Sequence, residues 1–214
     1  MIITADLFLY WVGLAAVAAM AAAGVLEAER NRTDLVGAIF IAMASALAGG
    51  TVRDVLLDRQ VFWVADQTYL LTAAGAGVLI FFVIRERPVP ARLFLYPDAV
   101  GLALFTVFGT QAALQWNTPW FVATLMGVTT AVFGGIARDV LCNRMPLVMQ
   151  RGELYATAAW LGSLVVVGIS EFGGDRITAG WCGMAVVLVV RLAAMHFALR
   201  LPVIEKDKPN PGSE

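Results

Sequence analysis

Two short stretches carry residues that an apolar chain would otherwise exclude. Ala48-Gly49-Gly50-Thr51-Val52-Arg53-Asp54-Val55-Leu56 is one, and Phe133-Gly134-Gly135-Ile136-Ala137-Arg138-Asp139-Val140-Leu141 is its near copy. Each places two adjacent glycines and then an Arg-Asp pair inside a long hydrophobic run. Glycine weakens a helix by about 1 kcal/mol relative to alanine and frees the backbone to bend. A charge within hydrocarbon costs at least about 2.5 kcal/mol and is seldom incidental. Paired apolar segments interrupted by glycine at matching places point to a translocation site. The plainer reading is that small residues allow close helix packing. Ser45, Thr51, Thr129 and Thr130 bring hydroxyls beside the glycines. These either replace part of an ion's hydration shell or bond to a carbonyl one turn back, as is common in membrane helices.

The elements that hold these stretches follow from composition. The chain has 214 residues, 60% of them hydrophobic and only 14% charged, with a mean hydropathy of +0.78. A soluble domain carries about 25% charged residues, so this is the composition of an integral membrane protein. A net charge of -1 and the lack of a dense basic patch give no reason to expect nucleic acid as a partner. Membrane lipids are the expected surroundings. Cys142 and Cys182 have neither CxxC spacing nor a His neighbour and read as inert thiols. One His, no Ser-His-acid set, no metal-ligand cluster and no GK[ST] ending after Gly49-Gly50 leave no enzyme motif and no expected cofactor. Asp54 and Asp139 fall in opposite halves, which argues against a protease pair.

Apolar runs near the roughly 20 residues that a bilayer requires fall at Leu7–Leu26, Leu35–Leu57, Tyr69–Ile84, Asp98–Leu114, Trp120–Leu141, Leu154–Ile169 and Ile177–Leu199. They are continuously apolar rather than alternating, so the expectation is all-α: a seven-transmembrane-helix bundle, not a barrel. The first run lacks a basic leader and reads as a retained span. With the N-terminus outside, the inner loops and tail hold Arg30, Arg32, Arg85, Arg87, Arg92, Arg144, Arg151, Arg200, Lys206 and Lys208. The outer side then holds only Arg59 and Arg176. This bias predicts an N-out, C-in orientation. Trp11, Trp63, Trp116, Trp120 and Trp181 lie near the expected interfaces, as an aromatic belt would. The tail from Pro202 to Glu214 reads as disordered.

The two motifs belong to a duplication. A single offset of 85 residues relates Gly49 to Gly134, Arg53 to Arg138, Arg59 to Arg144, Gly24 to Gly109, Ser45 to Thr130 and Gly77 to Gly162. Three spans per repeat is an odd number, so the second copy enters the membrane inverted. The expected organisation is 1–92 for the first three-helix repeat, 93–176 for the second, 177–200 for a seventh helix and 201–214 for a cytoplasmic tail. Gly49 lies about 21 Å along its helix from Leu35, past the middle of a core roughly 30 Å thick. A break at each glycine pair would free carbonyls before it and N–H groups after it. The carbonyls suit a cation and the N–H groups an anion.

The twin Gly-Gly-x-x-Arg-Asp-Val-Leu segments, the Pro97-Asp98 opening of the fourth span and the three-plus-three-plus-one layout resemble the bacterial branch of the trimeric intracellular cation channels. That branch overlaps a two-repeat bacterial family often labelled glycine transporter. The resemblance covers nearly the whole chain except the tail. It implies homotrimers with one pore per subunit, kinked at the glycines of the second and fifth spans, and permeation of monovalent cations, potassium above all. It makes Ser45, Gly49, Gly50, Thr51, Arg53, Asp54, Thr130, Phe133, Gly134, Gly135, Arg138 and Asp139 the pore and gating candidates, with potassium or sodium in the pore. Secondary transport of glycine or another small solute is the alternative. The family commonly has three glycines in a row, whereas Ala48 and Phe133 take the first place here. Phe133 would narrow or plug a pore. The animal members' lipid-binding lysines have no counterpart, since no Lys precedes Lys206.

Adjacent helical residues diverge by about 100°, so Arg53 and Asp54, like Arg138 and Asp139, are expected to seek other partners. Asp98 opens the fourth span and is the expected partner of Arg138. The position 85 residues before Asp98 is Gly13, which leaves Arg53 without that partner and, on this reasoning, more hydrated. Arg191 is expected to snorkel, and His196 to sit at an interface. Small residues from Ala15 to Gly24 permit close helix contact within or between subunits.

Overall fold

The structure is a computed structural model and describes residues 2–86, 90, 92–150, 154–197 and 199, with side chains from Asp6 onward. The expected tail, together with Arg87, Arg151, Arg200, Lys206 and Lys208, lies outside the described residues. No strand occurs among the described residues. Among the described residues eight helices run in order: α1 (Ile2–Glu29), α2 (Leu35–Leu56), α3 (Phe62–Ala65), α4 (Gln67–Ile84), α5 (Leu95–Gln115), α6 (Trp120–Leu141), α7 (Tyr155–Glu171) and α8 (Arg176–Phe197). A three-residue 3-10 turn, Leu147–Met149, precedes α7. Six of these, among the described residues, are long and apolar enough to cross a membrane: α1, α2, α4, α5, α6 and α8. The 17-residue α7 is apolar but shorter. The protein is thus an all-helical membrane protein.

Burial sorts these helices into a centre and a periphery. Within its most apolar stretch α5 is 78% buried, whereas α4 is 22% buried. The central helix packs against α1, α6, α7 and α8, and small residues allow it to do so. Ala99, Gly101, Ala103, Gly109, Ala112 and Ala113 are all buried, and the side chain of Met20 on α1 fills the space beside Gly101. Close helix contact of this kind replaces the hydrophobic drive that hydrocarbon does not supply. Large apolar side chains such as Phe40, Leu71, Phe82 and Val189 face outward, as contact with lipid tails permits. Trp11, Trp116, Trp120 and Trp181 are also exposed.

Polar residues mark the helix ends. Asp34, Asp66 and Asp175 each stand before a helix and accept a backbone N–H, from Gly37, Thr68 and Thr178 at 2.8, 2.9 and 2.9 Å. Hydrogen bonds from Thr68, side chain first and then backbone, hold the Asp66 carboxyl below its ordinary pKa, and Thr178 does the same for Asp175. Left-handed residues close helices at two pairs of matching places. Arg32 (φ 52) and Asn117 (φ 53) follow α1 and α5, and Asp58 (φ 49) and Asn143 (φ 54) follow α2 and α6. Both pairs are separated by the 85-residue offset read from the sequence.

One boundary differs from expectation. The first apolar run ends at Leu26 and leaves Glu27 to a charged link, but α1 continues to Glu29 and Glu27 within it is fully buried. It sits 2.8 Å from Arg144 and 3.4 Å from Arg30, so the helix carries its charge inward to partners.

Candidate functional site: the crossing of α2 and α6

The glycine pairs bring two helices into backbone contact. A Cβ on Gly49 would collide with the carbonyl oxygen of Thr130, and one on Gly134 would collide with that of Ser45. Ser45 and Thr130 are themselves 85 residues apart, so each half gives a glycine and receives a carbonyl. The next layer repeats the pattern. A Cβ on Gly24 would lie 3.2 Å from Ser45 Cβ, and Gly109 faces Thr130 in the same way. Four helices, α1, α2, α5 and α6, are thereby drawn together. The expected interruption of the second and fifth spans is not seen, since α2 and α6 run unbroken through their glycines. The physical reason is that the glycines are spent on close approach, while the helical backbone bonds continue past them.

The Arg-Asp pairs also depart from expectation. Arg53 Nε donates to Asp54 Oδ1 at 2.8 Å, and Arg138 Nε donates to Asp139 Oδ1 at 2.8 Å. The long arginine stem folds sideways to its neighbour and overcomes the 100° divergence. The second carboxylate oxygen then reaches along the chain. Asp54 Oδ2 accepts the N–H of Phe62, and Asp139 Oδ2 accepts that of Leu147, both at 2.8 Å. Each Asp therefore ties the segment after its helix back to the helix end. These bonds start α3 and the 3-10 turn, two elements that apolar periodicity does not reveal.

The partners beyond this shared core differ. Arg138 Nη1 donates to Asp98 Oδ1, which also accepts the Tyr155 hydroxyl at 3.1 Å. Phe94 lies under the Arg138 guanidinium, with 5.0 Å from Cζ to the ring centroid. Arg191 is fully buried over the Tyr155 ring at 5.0 Å, so it does not snorkel. Arg53 instead faces the rings of Phe108 at 4.8 Å and Phe62 at 5.7 Å. Its neighbour Arg59 reaches Asp54 Oδ1 at 3.3 Å and stacks on Trp116 at 5.0 Å. Arg53 is as fully buried as Arg138, which corrects the expectation that it is the more hydrated of the two. Aromatic faces shield it where Asp98 neutralises Arg138.

Most of the hydroxyls turn to carbonyls. Thr51 donates to Leu47 O at 2.8 Å and accepts from Trp63 Nε1 at 2.9 Å, and Thr130 donates to Met126 O at 2.6 Å. Ser45 Oγ is buried and has no hydrogen-bond partner among the described residues. Phe133 on α6 is 40% exposed. Gly50 lies against the Phe62 ring, and a Cβ on Gly135 would come within 2.8 Å of the Tyr155 hydroxyl. His196 is exposed and meets Phe197 edge-on. Among the described residues no three His, Cys, Asp or Glu converge as a metal cage. Sequence reasoning missed Glu27, Phe62, Phe108 and Tyr155. The 85-residue offset flags none of them by identity, because Glu27 aligns with Ala112, Phe62 with Leu147, Phe108 with Ala23 and Tyr155 with Leu70.

Fold and site together define an all-helical membrane protein of the TRIC-channel fold. The chain superposes on the TRIC trimeric intracellular cation channel orthologue from Rhodobacter sphaeroides with a TM-score of 0.85 at 36% identity, covering 90% of this chain and 99% of that one. A second TRIC cation channel structure gives 0.82 at 30% identity, covering 92% and 97%. A family described as glycine transporter matches residues 10–85 and again 95–171. The UPF0126 inner membrane protein YadS of Escherichia coli K12 is 38% identical over 205 residues, which are 94% of this chain and 99% of that protein. A UPF0126 membrane protein of Vibrio cholerae is 36% identical over 94% of this chain and 84% of its own length. The chain belongs to this two-repeat family of bacterial membrane proteins, and its place is the inner membrane.

Proposed function

We propose that the protein is a monovalent cation channel, selective for potassium, which assembles as a homotrimer with one permeation path per subunit beside the α2–α6 crossing. The single observation that carries this reading is the likeness, at 36% identity over 90% of the chain, to a structure described as a trimeric cation channel. The reciprocal seating of Gly49 on Thr130 and Gly134 on Ser45 supports two inverted three-helix repeats, at 1–92 and 93–176. So does the double match of the family at 10–85 and 95–171. In this reading α7 is the sixth span, completing the second repeat, α8 is the seventh and stands outside the duplication, and the chain runs N-out and C-in. Ser45, with its unpartnered buried hydroxyl, is the candidate to meet a permeating ion. Gating acts at the two helix ends, where Asp54 and Asp139 hold the following segments.

Planar bilayers containing the purified protein test this. Current should reverse at the potassium equilibrium potential, and flux should stay nearly linear with concentration. The family description favours a second reading, a carrier of glycine or another small solute. Saturable uptake of labelled glycine, blocked by unlabelled glycine and unaccompanied by current, would replace the channel by the carrier.

A further inference from the structure

The two Arg-Asp centres share one plan and invert its charge. At the second centre one guanidinium serves two carboxylates, since Arg138 contacts both Asp98 and Asp139. At the first centre one carboxylate serves two guanidiniums, since Asp54 contacts both Arg53 and Arg59. Arg59 keeps 24% of its side chain exposed and is solvated in part, but Arg53 has no exposure. Arg53 Nη2 stands 2.8 Å from Asp54 Oδ1 without hydrogen-bond geometry, and neither Nη1 nor Nη2 has a hydrogen-bond acceptor among the described residues. Arginine stays charged in proteins and offers donors only. Unfilled donors on a buried charge are costly, and buried charges are normally paired.

The repeat locates what is missing. Asp98, which pairs with Arg138, corresponds to Gly13. A Cβ on Gly13 would lie 3.0 Å from Tyr69 Cε1, 3.1 Å from the Tyr69 hydroxyl oxygen and 3.2 Å from Phe108 Cζ. Phe62, Tyr69 and Phe108 lean on one another there, with ring centroids 4.9 to 6.4 Å apart. Two of the three rings also face the Arg53 guanidinium. The rings shield the cation but offer its N–H groups no lone pair, so the guanidinium donors, with the Tyr69 hydroxyl nearby, are left to take an anionic acceptor.

We propose that Arg53 binds a small monovalent anion, chloride or a short carboxylate, in the role that Asp98 fills beside Arg138. Nη1 and Nη2 of Arg53 hold the anion, and the Tyr69 hydroxyl is the neighbouring donor. This site does not depend on whether the protein is a channel or a carrier, since it rests on the charge inversion alone.

The test uses the purified full chain at fixed pH, ionic strength and potassium, with chloride, bromide or acetate replacing bulky gluconate. A saturable rise in Tm of about 2–4 °C is expected, as ligand binding to the folded state alone requires. It should vanish in Arg53→Gln. A response to halides alone assigns a halide site, and a response to acetate alone assigns a carboxylate site; either supports the proposal. Crystals grown in bromide give a readout that needs no variant, with an anomalous peak within hydrogen-bonding reach of Arg53 Nη1 and none at Arg138. A Tm independent of the anion, a response that persists in Arg53→Gln, or a water without anomalous signal beside Arg53 would overturn it.

Discussion

Replacing Arg138 and Arg53 separately by Gln should give very different losses of stability, although both side chains are fully buried. Arg138→Gln strands two carboxylates. Asp98 retains the Tyr155 hydroxyl and Asp139 retains the Leu147 N–H, but both lose the guanidinium that they share. Breaking a buried pair by removing one member costs about 3–5 kcal/mol. At about 2–4 °C per kcal/mol for a chain of this size, Tm should fall by about 6–20 °C. Arg53→Gln strands less, because Asp54 keeps Arg59 at 3.3 Å and the Phe62 N–H at 2.8 Å. Two ring contacts worth about 0.5–2 kcal/mol together are lost. That loss is offset by removing a guanidinium with two nitrogens that lack acceptors, so the net is about 1 kcal/mol or less. Thermal unfolding in detergent, followed by the fluorescence of the six tryptophans, measures both. Adding Asp98→Asn to Arg138→Gln should recover about 0.5–3 kcal/mol relative to the sum of the single changes. Equal falls for the two arginines, or strict additivity in the double variant, would refute the unequal pairing.

Three further outcomes follow from the same geometry. Gly49→Ala and Gly134→Ala should each cost about 1–3 kcal/mol by overpacking, whereas Gly75→Ala, which has open space around it, should be neutral or stabilising by about 0.4–1 kcal/mol; Tm measures all three. Asp54→Ala should speed amide exchange at Phe62 by roughly tenfold to a hundredfold and leave Leu147 unchanged, as hydrogen-exchange mass spectrometry would resolve. The Asp66 carboxyl binds its proton less tightly in the folded state than in the unfolded one. Its contribution is therefore complete above the unfolded pKa of about 3.9 and lost as pH falls through the lower folded value. Between about pH 5 and pH 3, wild-type Tm should drop more steeply than that of Asp66→Asn; parallel curves would remove Asp66 from the account.

The long helices were legible because hydrocarbon leaves a plain record in apolar runs. The expected Trp120–Leu141 span coincides with α6, and Leu35–Leu57 overruns α2 by one residue. The offset of 85 was legible because glycines and charges punctuate a uniform background. The Phe62–Ala65 helix was not, since four residues carry no period and a carboxylate eight positions upstream starts it. Glu27 was misread for a similar reason. A buried acid looks like the start of a polar link until Arg144, 117 residues away in sequence, is seen beside it. The glycines were read as places where the helix gives way, and their use as seats for a neighbouring carbonyl needs the partner helix to be in view.

That seating has a mechanical consequence. A side chain in a contact can change rotamer and yield, but a carbonyl resting on a Cα cannot. The α2–α6 crossing therefore acts as a bearing on which one helix tilts against the other without parting from it. The arms of this lever are unequal. From Gly49 to Leu35 is about 21 Å, and from Gly49 to Leu56 about 10 Å. A tilt of about one degree then moves the Leu35 end by about 0.4 Å and the Leu56 end by about 0.2 Å. A small rotation thus moves the end remote from Arg53 and Asp54 about twice as far as the charged end, which is tied to the segment that follows it.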